Sequence, residues 1–288
     1  MSISLRPLHR QVIVITGATS GIGLSTIRMA VEQGAKVFMI ARQEDELQKI
    51  QDDMRANAYD TAYTVADESD VEQLQYAADR CIATFGRIDT WINNADISVY
   101  GEVKDTTEEE ARRLFDTNFW GLVNGCKVAI QYMSEKGGAL INVTSSLAHV
   151  ALPIQSVYSA SKLAIKGYTD SLRDELHQER SPIAVTLVTP SAPDRASYSA
   201  EVVAKIILKS STKVTKEVST HSTSFVVPFF KNLLKRKPSQ DVPKIHEKGE
   251  TENFSVAEKT ETPSHPWIKR GLIASGAGIL IAKKFRRI

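Results

Sequence analysis

Tyr158 and Lys162 stand four residues apart, and Ser145 lies thirteen residues before the tyrosine. On a helix that spacing of four puts the phenol and the ammonium on one face, about a turn from each other. A phenol, an ammonium and a hydroxyl brought together can move a proton to or from a carbonyl oxygen. The ammonium stabilises phenolate, so the tyrosine is expected to titrate below its free value of about 10. Ser145 follows an apolar run, Ala139 to Val143, that reads as a buried strand. A lone tyrosine and lysine at this spacing is a common surface pair. What distinguishes this one is the set of elements around it.

Val12 to Ile15 reads as a buried parallel strand. It runs into Thr16-Gly17-Ala18-Thr19-Ser20-Gly21-Ile22-Gly23, and a helical pattern follows to Gln33. Glycines let a backbone approach a pyrophosphate, and the helix N-terminus supplies free N–H groups. A second strand, Lys36 to Ala41, ends at Arg42, and the first acids come only at Glu44 and Asp45. In dinucleotide folds an acid at this point binds the ribose 2′-hydroxyl, while an arginine favours a 2′-phosphate. Arg42 therefore predicts NADP(H) in preference to NAD(H).

A helix over Glu44 to Asn57 leads to a third strand, Thr61 to Ala66, which ends at Asp67. Asp67 can accept a hydrogen bond from an adenine amino group, or it can cap the helix that begins near Asp70. Val71 to Phe85 is helical, and Ile88 to Ile92 is a fourth strand ending in Asn93-Asn94-Ala95-Asp96. Glu108 to Met133 has room for one long helix with Asn118 inside it. Propensity disfavours an asparagine there unless local hydrogen bonding compensates. The helix from Val157 to Glu179 carries Tyr158 and Lys162, and a sixth strand, Ile183 to Val188, ends at Thr189-Pro190.

Thr16, Arg42, Asp67, Asn93, Ser145 and Thr189 thus all fall at the C-terminal ends of strands. In doubly wound sheets that edge binds ligands. The alternation of strands and helices predicts an α/β fold with a doubly wound, Rossmann-type parallel sheet in three layers, αβα, as a single domain with a C-terminal tail. The 288 residues and 42% hydrophobic content allow one such domain with some excess. A net charge of +2 is too small to argue for nucleic acid. Cys81 and Cys126 suit buried small apolar residues in a reducing compartment. The six histidines show no metal-ligand spacing. The polar N-terminus reaches a strand by Gln11, which leaves no room for a secretory signal and predicts a cytoplasmic protein.

On these residues the chain resembles the short-chain dehydrogenase/reductase family. The matches are the TGxxxGIG turn at Thr16 to Gly23, Asp67, Asn93-Asn94-Ala95, Asn118, Ser145 and Tyr-Ser-Ala-Ser-Lys at Tyr158 to Lys162. Together they cover Gln11 to about Pro190. The resemblance implies hydride transfer between a nicotinamide cofactor and a carbonyl or alcohol, with Asn118, Ser145, Tyr158 and Lys162 as the catalytic tetrad. Tyr158 is then the acid in reduction and the base in oxidation, and Ser145 hydrogen-bonds the substrate oxygen. Lys162 tunes the tyrosine and binds the nicotinamide ribose, and Asn118 holds a water that links Lys162 to solvent. Gly17, Gly21, Ile22 and Gly23 line the pyrophosphate, with Thr16 and Ser20 in the same turn. Asn94 and Ala95 flank the adenosine side. The resemblance also implies homo-oligomers built on the Glu108–Met133 and Val157–Glu179 helices.

Three features depart from the family pattern. Asp96 stands where the motif usually has glycine, and a carboxylate near the cofactor is a cost unless it pairs or points away. Pro190-Ser191 replaces the usual Pro-Gly. Only Ser191 to Ser197 separates the sixth strand from the next helical pattern, Ala200 to Leu208, where relatives have a substrate-covering loop. An open site of this kind admits water and positions substrate poorly, and it also leaves room for a bulky or membrane-presented, lipophilic substrate. The missing lid, Asp96 and the basic apolar tail after the domain motivate an alternative reading, a cofactor-binding, membrane-associated protein with little or no catalysis.

The oxidoreductase domain is placed at residues 8–220, with a last edge strand at Thr212 to Val218. Residues 221–236 set Phe229, Phe230, Leu233 and Leu234 among Lys231, Lys235 and Arg236 as a basic amphipathic segment. Residues 237–266, rich in Lys, Glu, Thr, Ser and Pro, read as a disordered linker. Residues 267–288 hold an uncharged run of twelve, Gly271 to Ala282, between basic flanks. As a helix it spans about 18 Å, too short to cross a bilayer core of about 30 Å. Shallow contact with an anionic membrane surface is one reading of this tail, and a tail docked on another protein surface or disordered is the other.

Overall fold

Parallel strands must be covered on both faces, and the strand sequences carry the apolar runs this demands. The computed structural model describes residues 3–149, 151–190 and 199–219. Its strands are β1 (Val12–Thr16), β2 (Lys36–Ala41), β3 (Thr61–Val65), β4 (Thr90–Asn93), β5 (Gly138–Val143), β6 (Ile183–Thr189) and β7 (Glu217–Ser219). All pair in parallel, in the order β3-β2-β1-β4-β5-β6-β7. The chain winds outward from β1 to β3, returns to the other side of β1 at β4, and winds outward again. That reversal opens a crevice at the C-terminal ends of β1 and β4.

The helices are α1 (Gly21–Glu32), α2 (Glu44–Ala56), α3 (Val71–Phe85), α4 (Glu108–Phe115), α5 (Leu122–Met133), α6 (Ser156–Gln178) and α7 (Ala200–Ser210). Alternate residues of β1 feed two cores, as the period of a strand requires. Val12 and Val14 pack with Leu74 of α3, Cys126 of α5 and Leu172 of α6. Ile13 and Ile15 pack with Ile27 of α1, Leu47 of α2 and Val203 of α7. The result is the three-layer αβα arrangement. Both cysteines are free and buried, and burial pushes each thiol up to about 12, so neither is a thiolate nucleophile.

A buried polar chain ties the sheet to the helix that carries Tyr158 and Lys162. Trp91 Nε1 donates to Asn93 Oδ1, Asn93 Nδ2 to Asn142 Oδ1, and Asn142 Nδ2 to Thr169 Oγ1, at 2.8, 2.8 and 3.0 Å. Each group inside the apolar layer is thereby satisfied, which fixes the register of α6 against β4 and β5.

Beyond shifts of one or two residues at element ends, such as β4 beginning at Thr90 where the sequence pattern predicts Ile88, two elements differ from the sequence expectation. The long helix is interrupted, because Asp116–Gly121 between α4 and α5 winds as a π-helix. That wider stretch contains Asn118, whose amide takes its partners outside the helix. The last strand is confined to Glu217–Ser219, since Thr212 and Lys213 still bond back to Lys209 at the end of α7. Among the described residues no helix is long and apolar enough to cross a membrane, and no cluster of potential metal ligands occurs. The segment Ser191 to Ser197, the amphipathic stretch, the linker and the tail lie outside the described residues.

Candidate active site

The glycine-rich turn leaves β1 at Thr16 and enters α1 at Gly21. Thr16 is buried, and its hydroxyl oxygen accepts the backbone N–H groups of Asn94 and Ala95, each at 3.1 Å. The Asn94 side chain donates back to the carbonyls of Thr16 and Gly17 at 3.1 and 3.2 Å. The asparagine placed on the adenosine side is thus spent on locking the turn to the end of β4. Gly17 has φ +63°, and a Cβ there would lie 2.7 Å from Ala95 Cα; a Cβ on Gly23 would lie 2.1 Å from the Gly17 carbonyl oxygen. Only glycine lets the turn, α1 and the β4 loop approach this closely.

The N-cap of α1, Ser20, makes no side-chain capping bond, and no acid occupies the first turn. The leading N–H groups, Gly21 and Ile22 among them, are therefore left for an anion at the crevice. This end fits the pyrophosphate of a dinucleotide. Beside it a cavity of about 570 Å³ is lined by Arg42, Asp67, Ser69, Arg113, Asp116 and Thr117, among others. Arg42 faces Asp67 at 3.8 Å. The other Asp67 oxygen accepts from the backbone N–H and hydroxyl of Ser69 at 2.9 and 2.7 Å, so Asp67 shapes its own turn, while Asp70 caps α3.

Glu68 lies across Gly121, whose bare α-carbon makes the room. Burial pushes its carboxyl up to about 8, against the opposing hydrogen bond with Thr16. The charges of Asp67 and Asp96 push in the same direction as burial, and Arg42 pushes against it.

At the other end of the crevice α6 presents Tyr158 and Lys162, 8% and 1% exposed. The ammonium stands 5.1 Å from the centre of the phenol ring. Thr144, at the end of β5, donates to the Lys162 carbonyl at 3.3 Å and seats the helix. Ser145 caps the short turn Ser146–Ala148, accepting from Leu147 N at 3.3 Å, and keeps its own proton to donate. The Pro190 carbonyl is taken by the Ser146 N–H at 2.9 Å. Both ends of the buried Asn118 amide go to the backbone of Ile97: Oδ1 accepts from its N–H at 2.8 Å and Nδ2 donates to its carbonyl at 2.9 Å. The Asn118 side chain is a clamp on the loop after β4, and its amide nitrogen also stands 3.5 Å from Ser161 Oγ on α6.

Asp96 is the residue that sequence reasoning left outside the site. Its Oδ2 accepts from the Tyr158 hydroxyl and its Oδ1 from the Lys162 ammonium, both at 2.7 Å. The signal was present, because an acid replaces the glycine of the motif; its direction was not. Around Tyr158 packs an apolar cluster of Leu114 and Leu147 with Ile97, Val99, Leu152 and Val157. These side chains, from the loop after β4, from α4, from the Ser146–Ala148 turn and from the entry to α6, form an apolar wall beside Tyr158.

Comparison with known proteins agrees with this architecture. A family model described as short chain dehydrogenase matches residues 11–205. An oxidoreductase of Bacillus subtilis, YxnA, is 45% identical over 194 residues, 67% of this chain and 54% of the relative. A 3-ketodihydrosphingosine reductase of Bacteroides thetaiotaomicron is 36% identical over 184 residues, 64% of each chain. The chain thus spans about half to two thirds of the length of these relatives. A solved short-chain dehydrogenase of Burkholderia phymatum in complex with NAD superposes with a TM-score of 0.71 at 21% identity, over 81% of this chain and 98% of the other, which speaks for the fold. With the sheet order, the glycine turn and a family match across most of the described residues, the chain belongs to the short-chain dehydrogenase family of oxidoreductases.

Proposed function

We propose that the protein is an NADP(H)-dependent carbonyl reductase, running as an alcohol dehydrogenase in reverse, on a lipophilic substrate. The observation that carries this reading is the buried Tyr158–Lys162 pair at the ligand-binding edge of the sheet, with Ser145 at the end of the neighbouring strand. When bound, the nicotinamide cofactor supplies or accepts the hydride. Tyr158 delivers its proton to the carbonyl oxygen. Ser145 donates a hydrogen bond to that oxygen as negative charge develops on it. The Lys162 ammonium stabilises the phenolate left behind. The uncapped N-terminus of α1 would hold the pyrophosphate, and Arg42 the 2′-phosphate. The apolar wall beside Tyr158 favours a lipophilic ketone, and the sphingolipid-ketone reductase among the relatives supports that class.

The test is NADPH oxidation, followed by absorbance, against a carbonyl panel that includes long-chain and polycyclic ketones. Tyr158→Phe should lower kcat by about 10²- to 10⁴-fold with little change in cofactor affinity. Turnover at the wild-type rate in that variant sinks the mechanism. One observation favours a second reading, a cofactor-binding protein with little catalysis: Asp96 engages both members of the catalytic pair. No turnover across the panel, with NADPH still bound, would decide for it.

A further inference from the structure

Asp96 sits on a segment pinned from both sides. Two residues before it, Asn94 is tied to Thr16 and Gly17, and one residue after it, Ile97 is tied to Asn118 by two hydrogen bonds. The backbone between these clamps has little freedom, so the carboxylate is held at the mouth of the catalytic pair. Among the described residues its two oxygens take one donor each, both at 2.7 Å, the distance of charge-assisted bonds.

Lys162 explains why the contact is strong. An ammonium 1% exposed needs a counter-charge, and Asp96 provides it among the described residues. The carboxylate itself is 31% exposed, so it reaches in from the rim and can swing outward without unfolding the loop. A phenol has one proton, and the Tyr158 proton points at Asp96. A substrate carbonyl needs that same proton. Two other titratable groups sense Asp96: Glu68 behind the glycine turn and Tyr100, whose phenol is pushed up chiefly by its own burial.

We infer that Asp96 is a latch on the catalytic pair, a residue that sets cofactor and substrate affinity by occupying the hydrogen-bonding positions of Tyr158 and Lys162 until a ligand displaces it. The inference rests on the assignment of Tyr158 and Lys162 made above. Ligand binding exchanges one set of bonds to Lys162 for another, so part of the binding free energy goes into opening the latch. Removing the carboxylate should therefore tighten binding, contrary to the usual outcome when an active-site residue is deleted.

The experiment is NADPH titration of the full chain without substrate, followed by nucleotide fluorescence, for wild type, Asp96→Gly and Asp96→Asn. Gly should bind about tenfold tighter than wild type. Asn should fall between them, because an amide lacks the charge that holds Lys162. Equal or weaker binding in the variants overturns the latch. Absence of binding of NADPH and NADH by all three proteins instead overturns the cofactor reading beneath it. Asp96→Gly strands a buried ammonium, and if that variant fails to fold the Asn variant carries the test.

A second readout needs no cofactor. Phenolate absorbance of the free protein, referenced to Tyr158→Phe, should rise at lower pH in Asp96→Asn than in wild type, by about one pH unit. Coincident curves would mean that the carboxylate does not hold the Tyr158 proton, and would overturn the latch.

Discussion

The two ends of the crevice solve the same problem differently. At the glycine turn, the protein's own side chains satisfy one another: Thr16 serves Asn94 and Ala95, and Asn94 serves Thr16 and Gly17. What remains open there are the backbone N–H groups of α1. At the catalytic end the reactive groups themselves are engaged, because Asp96 bridges Tyr158 and Lys162. One end is built ready for an anion, and the other is closed by an anion of its own. Affinity for a dinucleotide therefore depends on a fit at the turn and an exchange at the tyrosine. Substitutions at the two ends should act with opposite sign.

The largest effect tests the turn. Gly23→Ala adds one methyl group that would lie 2.1 Å from the Gly17 carbonyl oxygen, a backbone atom that cannot step aside. The α1 N-terminus must shift, at a cost of about 1–3 kcal/mol in stability. NADPH affinity should fall by about 100-fold, measured by the same fluorescence titration that detects tightening in Asp96→Gly. Retained affinity would show that the turn is not where the phosphates sit. A smaller effect sharpens the comparison within the fitting end. Arg42 is partly exposed and stands 3.8 Å from Asp67, too far for a strong competing bond. Arg42→Ala should weaken NADPH about tenfold and leave NADH unchanged. Wild type that binds NADH as tightly as NADPH removes the basis for the 2′-phosphate assignment.

The same contrast explains what could be read from the chain alone. The strand limits of β2 and the span of α3 follow from apolar runs bounded by polar or glycine residues, and the structure places both where the pattern does. The turn was legible because its geometry depends on residues with no side chain, and a glycine pattern in sequence is a backbone statement. The catalytic end depends on which way side chains point. That Asp96 turns inward is settled by a clamp between Asn118 and Ile97, residues 21 apart, and no local pattern encodes it. The π-helical turn that aims Asn118 was hidden for a related reason, since Glu108 to Met133 satisfies helical periodicity whether or not one turn is wider. Glu68 went unremarked because an acid after a strand is ordinarily a solvated residue. Its environment comes from Thr16 and Gly121, each about fifty residues away.

Glu68 lies between the two ends, bonded to Thr16 on one side and sensing Asp96 on the other. Its folded carboxyl titrates near 8, whereas an unfolded glutamate titrates at about 4.3. Below the unfolded value both states are protonated and the group favours neither. Between the two values the folded chain holds a proton that the unfolded chain has released, so stability falls as pH rises toward 8. Because the side chain is only half-buried, screening reduces the effect to on the order of 1 kcal/mol. Glu68→Gln keeps the shape and the hydrogen-bonding partner for Thr16 but has no charge to lose. The melting temperature of wild type should drop relative to Glu68→Gln between pH 5 and pH 8, by about 2–4 °C. Parallel curves across that range would mean that Glu68 is ionised and solvated in the folded protein. The crevice would then carry the negative charge of Glu68 beside those of Asp67 and Asp96, and that charge would oppose a dinucleotide phosphate at the turn as well as at the latched catalytic end.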